Sequence, residues 1–384
     1  MRRNVFVLGL VSFFTDIHSE IVIPLRPLFL DALGAPKWGI GFIEGLGDTV
    51  ASLLNIVSGR FSDRLRRRKP WVCGGYILST LTKPLLAFVS AWWQAALVQV
   101  GDRLGKGIRS APRDALLADS VPSERRGLAF GFHRAMDTAG AVVGTAIASL
   151  LLRSHVAFPQ AFLLAAIPGV VAVLLVIALA QEVPSPKAAA KSPAWDWRSL
   201  SPTYWWFIAA NGLYSLAHFS DALFLLRAKE VVTPLMGREA ASAFAVFAYF
   251  VYNVVYAVSA TPLGGAIDRF GRRRGLLATY LLFAVAAGGF ACADAVWHVW
   301  VCFIVLALHR ASVNPVARAL IAELSQSGTR GAAMGAYYAT IGLAVLPSNA
   351  LAGRLWDQGG ALLPFGAAAA LTVAATGVAW WKLR

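Results

Sequence analysis

The sequence predicts an all-α membrane protein, with twelve transmembrane helices in two pseudo-symmetric six-helix bundles. Three observations lead there. The chain is 58% hydrophobic and only 14% charged, against about a quarter charged in soluble domains. Its apolar residues gather in long runs, each near the roughly 20 residues that cross a bilayer as a helix. Two basic turns, finally, are written almost alike half a chain apart: Gly59-Arg-Phe-Ser-Asp63-Arg64-Leu-Arg66-Arg67-Arg68-Lys69 and Gly264-Gly-Ala-Ile-Asp268-Arg269-Phe270-Gly271-Arg272-Arg273-Arg274. Asp63 and Asp268 lie 205 residues apart (268 − 63) in a chain of 384. A repeat on that scale implies duplication of a whole membrane half.

Taken in order, the first set of spans falls near 4–30, 38–59, 71–90, 93–118, 127–152 and 157–180. The second set falls near 203–226, 240–262, 274–293, 297–323, 331–355 and 361–381. The first run follows Met1-Arg2-Arg3 but contains Asp16, His18 and Glu20 and continues past Pro24 to Leu30. It therefore reads as an uncleaved span rather than a signal peptide. Between the sets, Gln181 to Ser201 is polar and carries Pro184, Pro186, Lys187, Lys191 and Pro193, the composition of a linker. The expected organisation is a bundle over 1–181, a cytoplasmic linker over 182–201 and a second bundle over 202–384.

The net charge is +15, the sequence pI about 10.2 and the mean hydropathy +0.61. In a soluble chain such a charge points to nucleic acid. Here the cations cluster in turns between apolar runs and act as orientation signals. One set of alternate loops holds Arg2, Arg3, the Arg60–Lys69 cluster, Arg125, Arg126, the linker cations, the Arg269–Arg274 cluster, Arg330, Lys382 and Arg384. The other holds little beyond Lys37, Arg153, Lys229, Arg238 and Arg354. The positive-inside rule then places both termini in the cytoplasm, as an even number of spans requires. Cys73, Cys292 and Cys302 stand alone in apolar runs, without pair or metal spacing.

The duplication extends beyond the turns. Ser19-Glu20 with Arg26 repeats as Ser220-Asp221 with Arg227, and Pro112–Asp119 repeats as Val316–Glu323 at an offset of 204 (316 − 112). These residues resemble the major facilitator superfamily over essentially the whole chain, in an efflux-type subgroup. Its turn motif G-x-x-x-D-R-x-G-R-R is complete from Gly264 to Arg273, whereas Arg66 replaces the glycine in the first copy. That glycine eases a left-handed turn. The fourth-span pattern is met by Arg103-Leu-Gly-Lys-Gly107. The exporters' fifth-span motif is met in part: Gly131, Gly140 and Gly144 fit, but Thr145 stands where proline belongs. Small residues so spaced also serve simple close packing.

Ionisable groups within spans are costly and mark functional candidates. Asp16 and Glu20 share a face of span one, as do Glu44 and Asp48 in span two. With Asp137 they are the candidates for proton coupling, Glu20 foremost because Asp221 repeats it. Arg134 or His133 can pair with Asp137 within span five, which gives that acid a purely structural alternative. His18 points about 200° away from Asp16, so the Asp-x-His-x-Glu string is no one-face metal site. Arg26 and Arg227, equivalent by repeat, resemble the paired arginines of organophosphate carriers and are candidate anion ligands, or snorkel to the surface. Lys83, Arg103, Arg310, Asp221 and His218 complete the candidate substrate contacts. Asp63, Arg64, Asp268, Arg269 and Arg272 are candidate gating residues by resemblance.

The resemblance implies a secondary transporter of the bacterial cytoplasmic membrane working by alternating access, with proton-coupled export of a small organic compound as the leading expectation. Organic-anion or organophosphate uptake or exchange is the alternative; transition-metal export, an intramembrane enzyme or a sensor stand further back. The expected partners are a small-molecule substrate, protons and lipid, with no cofactor, no nucleic acid and a monomeric chain. Neither a His-Glu-x-x-His nor a Gly-x-x-x-x-Gly-Lys-Ser/Thr pattern occurs.

Overall fold

A computed structural model describes residues 3–65, 67–183, 200–325 and 330–383. Most of the 182–201 segment and Arg66 lie outside them, as do the side chains of Asp63, Arg64 and Asp268. Among the described residues every regular element is helical. The first set is α1 (Arg3–Ala32), α2 (Lys37–Leu65), α3 (Lys69–Thr82), α4 (Gln94–Asp119), α5 (Arg126–Arg153) and α6 (Phe158–Leu179). The second is α7 (Pro202–Ala217), α8 (Asp221–Phe270), α9 (Arg272–Ala291), α10 (Val296–Leu324), α11 (Arg330–Gly359) and α12 (Leu362–Lys382). Helices apolar around their whole circumference, such as α6, belong in lipid. Leu163, Ile167 and Leu174 of α6 are accordingly exposed.

Two compact units result. Unit 1 comprises 1–35 and 46–191; unit 2 comprises 36–45 and 192–384. In unit 1, α1 packs against α5 and α6, and α3 against α4. In unit 2, α7 packs against α11 and α12, and α9 against α10. The same pairings in the same order are the duplication expressed in packing.

Unit 2 includes the opening turns of α2. Asp357 accepts the backbone N–H groups of Lys37 and Trp38 at 2.9 Å each, capping that helix. A Cβ at Gly41 would stand 2.2 Å from the Asn349 carbonyl oxygen, and one at Gly353 2.2 Å from that of Lys37. Only glycine permits this approach.

Two spans depart from the continuous helices expected. Span three tightens into a 3₁₀ turn at Lys83–Phe88, with Pro84 in its first positions. Span seven is broken: α7 ends at Ala217, and α8 starts after Ser220, whose hydroxyl accepts the N–H of Ala222. The Ser220 N–H is taken by Asn349 Oδ1 at 2.8 Å, so the break is fully hydrogen-bonded at this donor. α8 then runs through a second break at Gly237, with φ of 78°.

Candidate functional site

In unit 1 the seam between α1 and α5 is set by Gly140 and Gly144. A Cβ at Gly140 would lie 2.4 Å from the Phe13 carbonyl oxygen, and one at Gly144 2.8 Å from that of Ile17. This contact brings Asp137 onto α1. Ser12 donates its hydroxyl proton to Asp137 Oδ1, Arg134 pairs with Oδ2 at 3.1 Å, and Asp16 lies against Gly140, one turn along α5, with its carboxyl beside that of Asp137. Arg113 and Lys106 of α4 stand close enough to act on the pair electrostatically. Glu20, half-buried, is one turn further along α1 beside Gly144.

His18 is turned away, as the helical spacing requires. It is fully buried, and its Nδ1 lies 2.6 Å from the Ala165 carbonyl oxygen.

A second polar cluster joins α3 to α4, where Gly75 and Gly105 bring the backbones together. Lys83 Nζ lies 2.6 Å from Asp102 Oδ1. Ser79 donates to the Asp102 carbonyl at 3.0 Å and accepts from Arg109 at 2.6 Å, and the Arg109 guanidinium covers the Tyr76 ring at 4.6 Å. Arg103 reaches Asp48 at 3.5 Å. Arg26, 3% exposed, donates to Gln99 Oε1 at 2.5 Å. Glu44 is buried on the α2 turns that belong to unit 2.

Unit 2 holds an aromatic and histidine group at the break in span seven. The His218 ring lies 5.0 Å from Phe283, 5.4 Å from Tyr214 and 5.8 Å from His309. His309 is held at both nitrogens, by Tyr214 Oη at 2.8 Å and the Thr279 carbonyl at 2.9 Å. Asp221, in the first turn after the break, accepts from Tyr252 Oη at 3.3 Å. Arg310 is solvent-exposed yet within electrostatic reach of Asp221, Tyr249, Tyr252 and Tyr256.

Arg227 is engaged by backbone carbonyls. Its Nε and Nη2 donate to the carbonyls of Phe290 and Ala293 at 3.0 and 2.7 Å, at the C-terminal end of α9, and Glu230 lies 3.4 Å away. It is a helix cap, favourable to the helix dipole. Of the gating candidates, Arg272 pairs with Glu323 at 3.2 Å and Arg269 is exposed. Gly271 takes φ of 95°, the positive value inferred for that glycine.

Sequence reasoning did not single out Ser12, Gln99, Lys106, Arg113 or His309. For Lys106 a signal existed. It stands at the repeat position of Arg310 (310 − 106 = 204), and both are exposed cations midway along α4 and α10.

A model of the Major Facilitator Superfamily matches residues 8–231 and 231–384. The chain belongs to that superfamily. An uncharacterized MFS-type transporter of Methanocaldococcus jannaschii is 31% identical over 93% of this chain and 89% of its own. The multidrug resistance protein MdtH of Cronobacter sakazakii is 34% identical over 35% of this chain and 33% of its own. Among solved structures, a mutant of the nucleoside transporter NupG superposes with a TM-score of 0.83 at 13% identity, over 99% of this chain and 100% of that one. The likeness at that identity carries the fold. This MFS protein is thus an integral membrane transporter, and its all-helical fold is that of the family.

Proposed function

We propose that this MFS transporter exports a small organic compound across the bacterial cytoplasmic membrane in exchange for protons, by alternating access. The observation that carries the reading is the close approach of the Asp16 and Asp137 carboxyls at the glycine seam between α1 and α5. A proton on one of the two acids lets them stand together. Loss of that proton leaves two carboxylates in contact, which repel one another. Ser12 and Arg134 hold Asp137, while Gly140 and Gly144 hold α5 against α1. Protonation is thereby tied to the fit of two helices rather than to one side chain. Arg113 and Lys106 offer positive charge to the deprotonated state. Export is favoured by the regional likeness to MdtH and by the partial fifth-span glycine motif, two of whose glycines form this seam.

The test is transport by the full chain in liposomes with an imposed pH gradient. Gradient-driven movement of a lipophilic drug panel should be present in the native chain and absent in D16N and D137N. Undiminished gradient-driven movement in both variants would overturn proton coupling at this pair.

A second reading, transport of an organic anion, draws on the exposed Arg310 and Lys106. In it the cations contact the substrate and R310Q raises the KM of an anionic substrate alone.

A further inference from the structure

Unit 2 contains a cavity of about 380 Å³ at the basic turn between α8 and α9. That volume falls within the range of about 300–1,000 Å³ that small ligands occupy. Its polar wall is Arg272, Arg273 and Arg274, opposed by the single carboxylate of Glu323. Its apolar wall is Leu277, Phe270 and Trp380. The lining therefore carries a formal excess of two positive charges beside apolar surface.

The three arginines are not equally committed. Arg272 is drawn to Glu323 at 3.2 Å. Arg273 donates Nη2 to the Trp380 carbonyl at 2.5 Å and its guanidinium lies 5.4 Å from the Trp380 ring centroid. Its Nε is buried with no hydrogen-bond acceptor, so Arg273 acts on the cavity through its charge rather than through a free donor. Arg274 is exposed and makes no ion pair among the described residues. These side chains also surround the first turn of α9, where Gly271 provides no side-chain cap. The backbone N–H groups there are the helix's positive end.

Position adds a further constraint. Phe270 is 68% exposed and Trp380 58% exposed, and Trp381 beside them is exposed too. Aromatic rings at a span end sit at headgroup depth. The positive-inside count puts this end on the cytoplasmic face, where anionic lipids attract such basic turns.

We infer that this cavity binds a phosphate-bearing anion, the chemistry of an anionic phospholipid headgroup: the phosphate would take Arg274 and the α9 N-terminus beside the charge of Arg273, while the lipid's acyl chains lie along Phe270 and Trp380. The site is separate from the Asp16–Asp137 pair and does not depend on the transport reading.

Native mass spectrometry of the full chain in detergent tests this, with equimolar phosphatidylglycerol and phosphatidylcholine as probes and inorganic phosphate as the soluble one. The native chain should retain phosphatidylglycerol over phosphatidylcholine. R274Q, at an exposed position, should lower that preference about fivefold, and R273Q at least as much if it folds. Binding of inorganic phosphate that R274Q weakens, without lipid preference, would support the site and make its source soluble. An unchanged lipid preference and unchanged phosphate binding in R274Q would overturn it, as would a native chain that binds neither.

Discussion

Lys83 and Asp102 form a buried ion pair, with Nζ 2.6 Å from Oδ1 and side-chain exposures of 5% and 7%. The pair joins the end of α3 to α4 and neutralises a cation that, read alone, looks available to an anionic substrate. Removing one partner strands the other charge. K83A should therefore destabilise unit 1 by about 3–5 kcal/mol, while K83M/D102L recovers most of it. Thermal unfolding of the purified chain, read for the single and double variants together, checks this.

Arg227 gives a contrasting case. Because its donors cap α9, R227A should lower stability by about 1.5–3 kcal/mol without changing substrate KM. A rise in KM with unaltered stability would return Arg227 to the substrate path.

Gly271 should resist replacement. Its φ of 95° lies where L side chains are strained, so G271A should cost about 1–3 kcal/mol. G264A is the control, since a Cβ at Gly264 meets nothing within 4 Å. The comparison is made by denaturation in detergent.

Asp357 supplies both acceptors to the first turn of α2. D357A should lose a cap worth about 0.5–2 kcal/mol, with D357N recovering part of it. Protection of the Lys37 and Trp38 amides against hydrogen exchange should fall first.

Much of this arrangement was legible in the chain. Apolar runs placed the spans, because lipid forces backbone hydrogen bonds to close within each segment. The repeat of Glu20 with Arg26 as Asp221 with Arg227 gave the two-fold organisation. Gly271 was legible too, since a glycine inside a basic turn signals positive φ. What stayed hidden depended on which helices meet. Asp16 and Asp137 were each singled out, yet nothing local says that they touch; Gly140 and Gly144, read as a motif, are what bring them together. Lys83 looked free because Asp102 lies on another helix. Arg227 could be read as an anion ligand or as snorkelling, because its acceptors are carbonyls, which every residue has. The break in span seven carries no glycine or proline at His218, Phe219 or Ser220, and its partner Asn349 is 129 residues further on.

That last distance bears on how the chain is made. α7 has 16 residues, about 24 Å of helix, short of the roughly 30 Å hydrocarbon layer. The piece from Asp221 to the break at Gly237 is of similar length. Neither crosses the bilayer alone, so the two pieces have to enter it together. Asn349 emerges from the ribosome only with α11. The open turn at Ser220 thus receives its hydrogen-bond partner after most of the second half is already in the membrane, which makes it a late event in biogenesis.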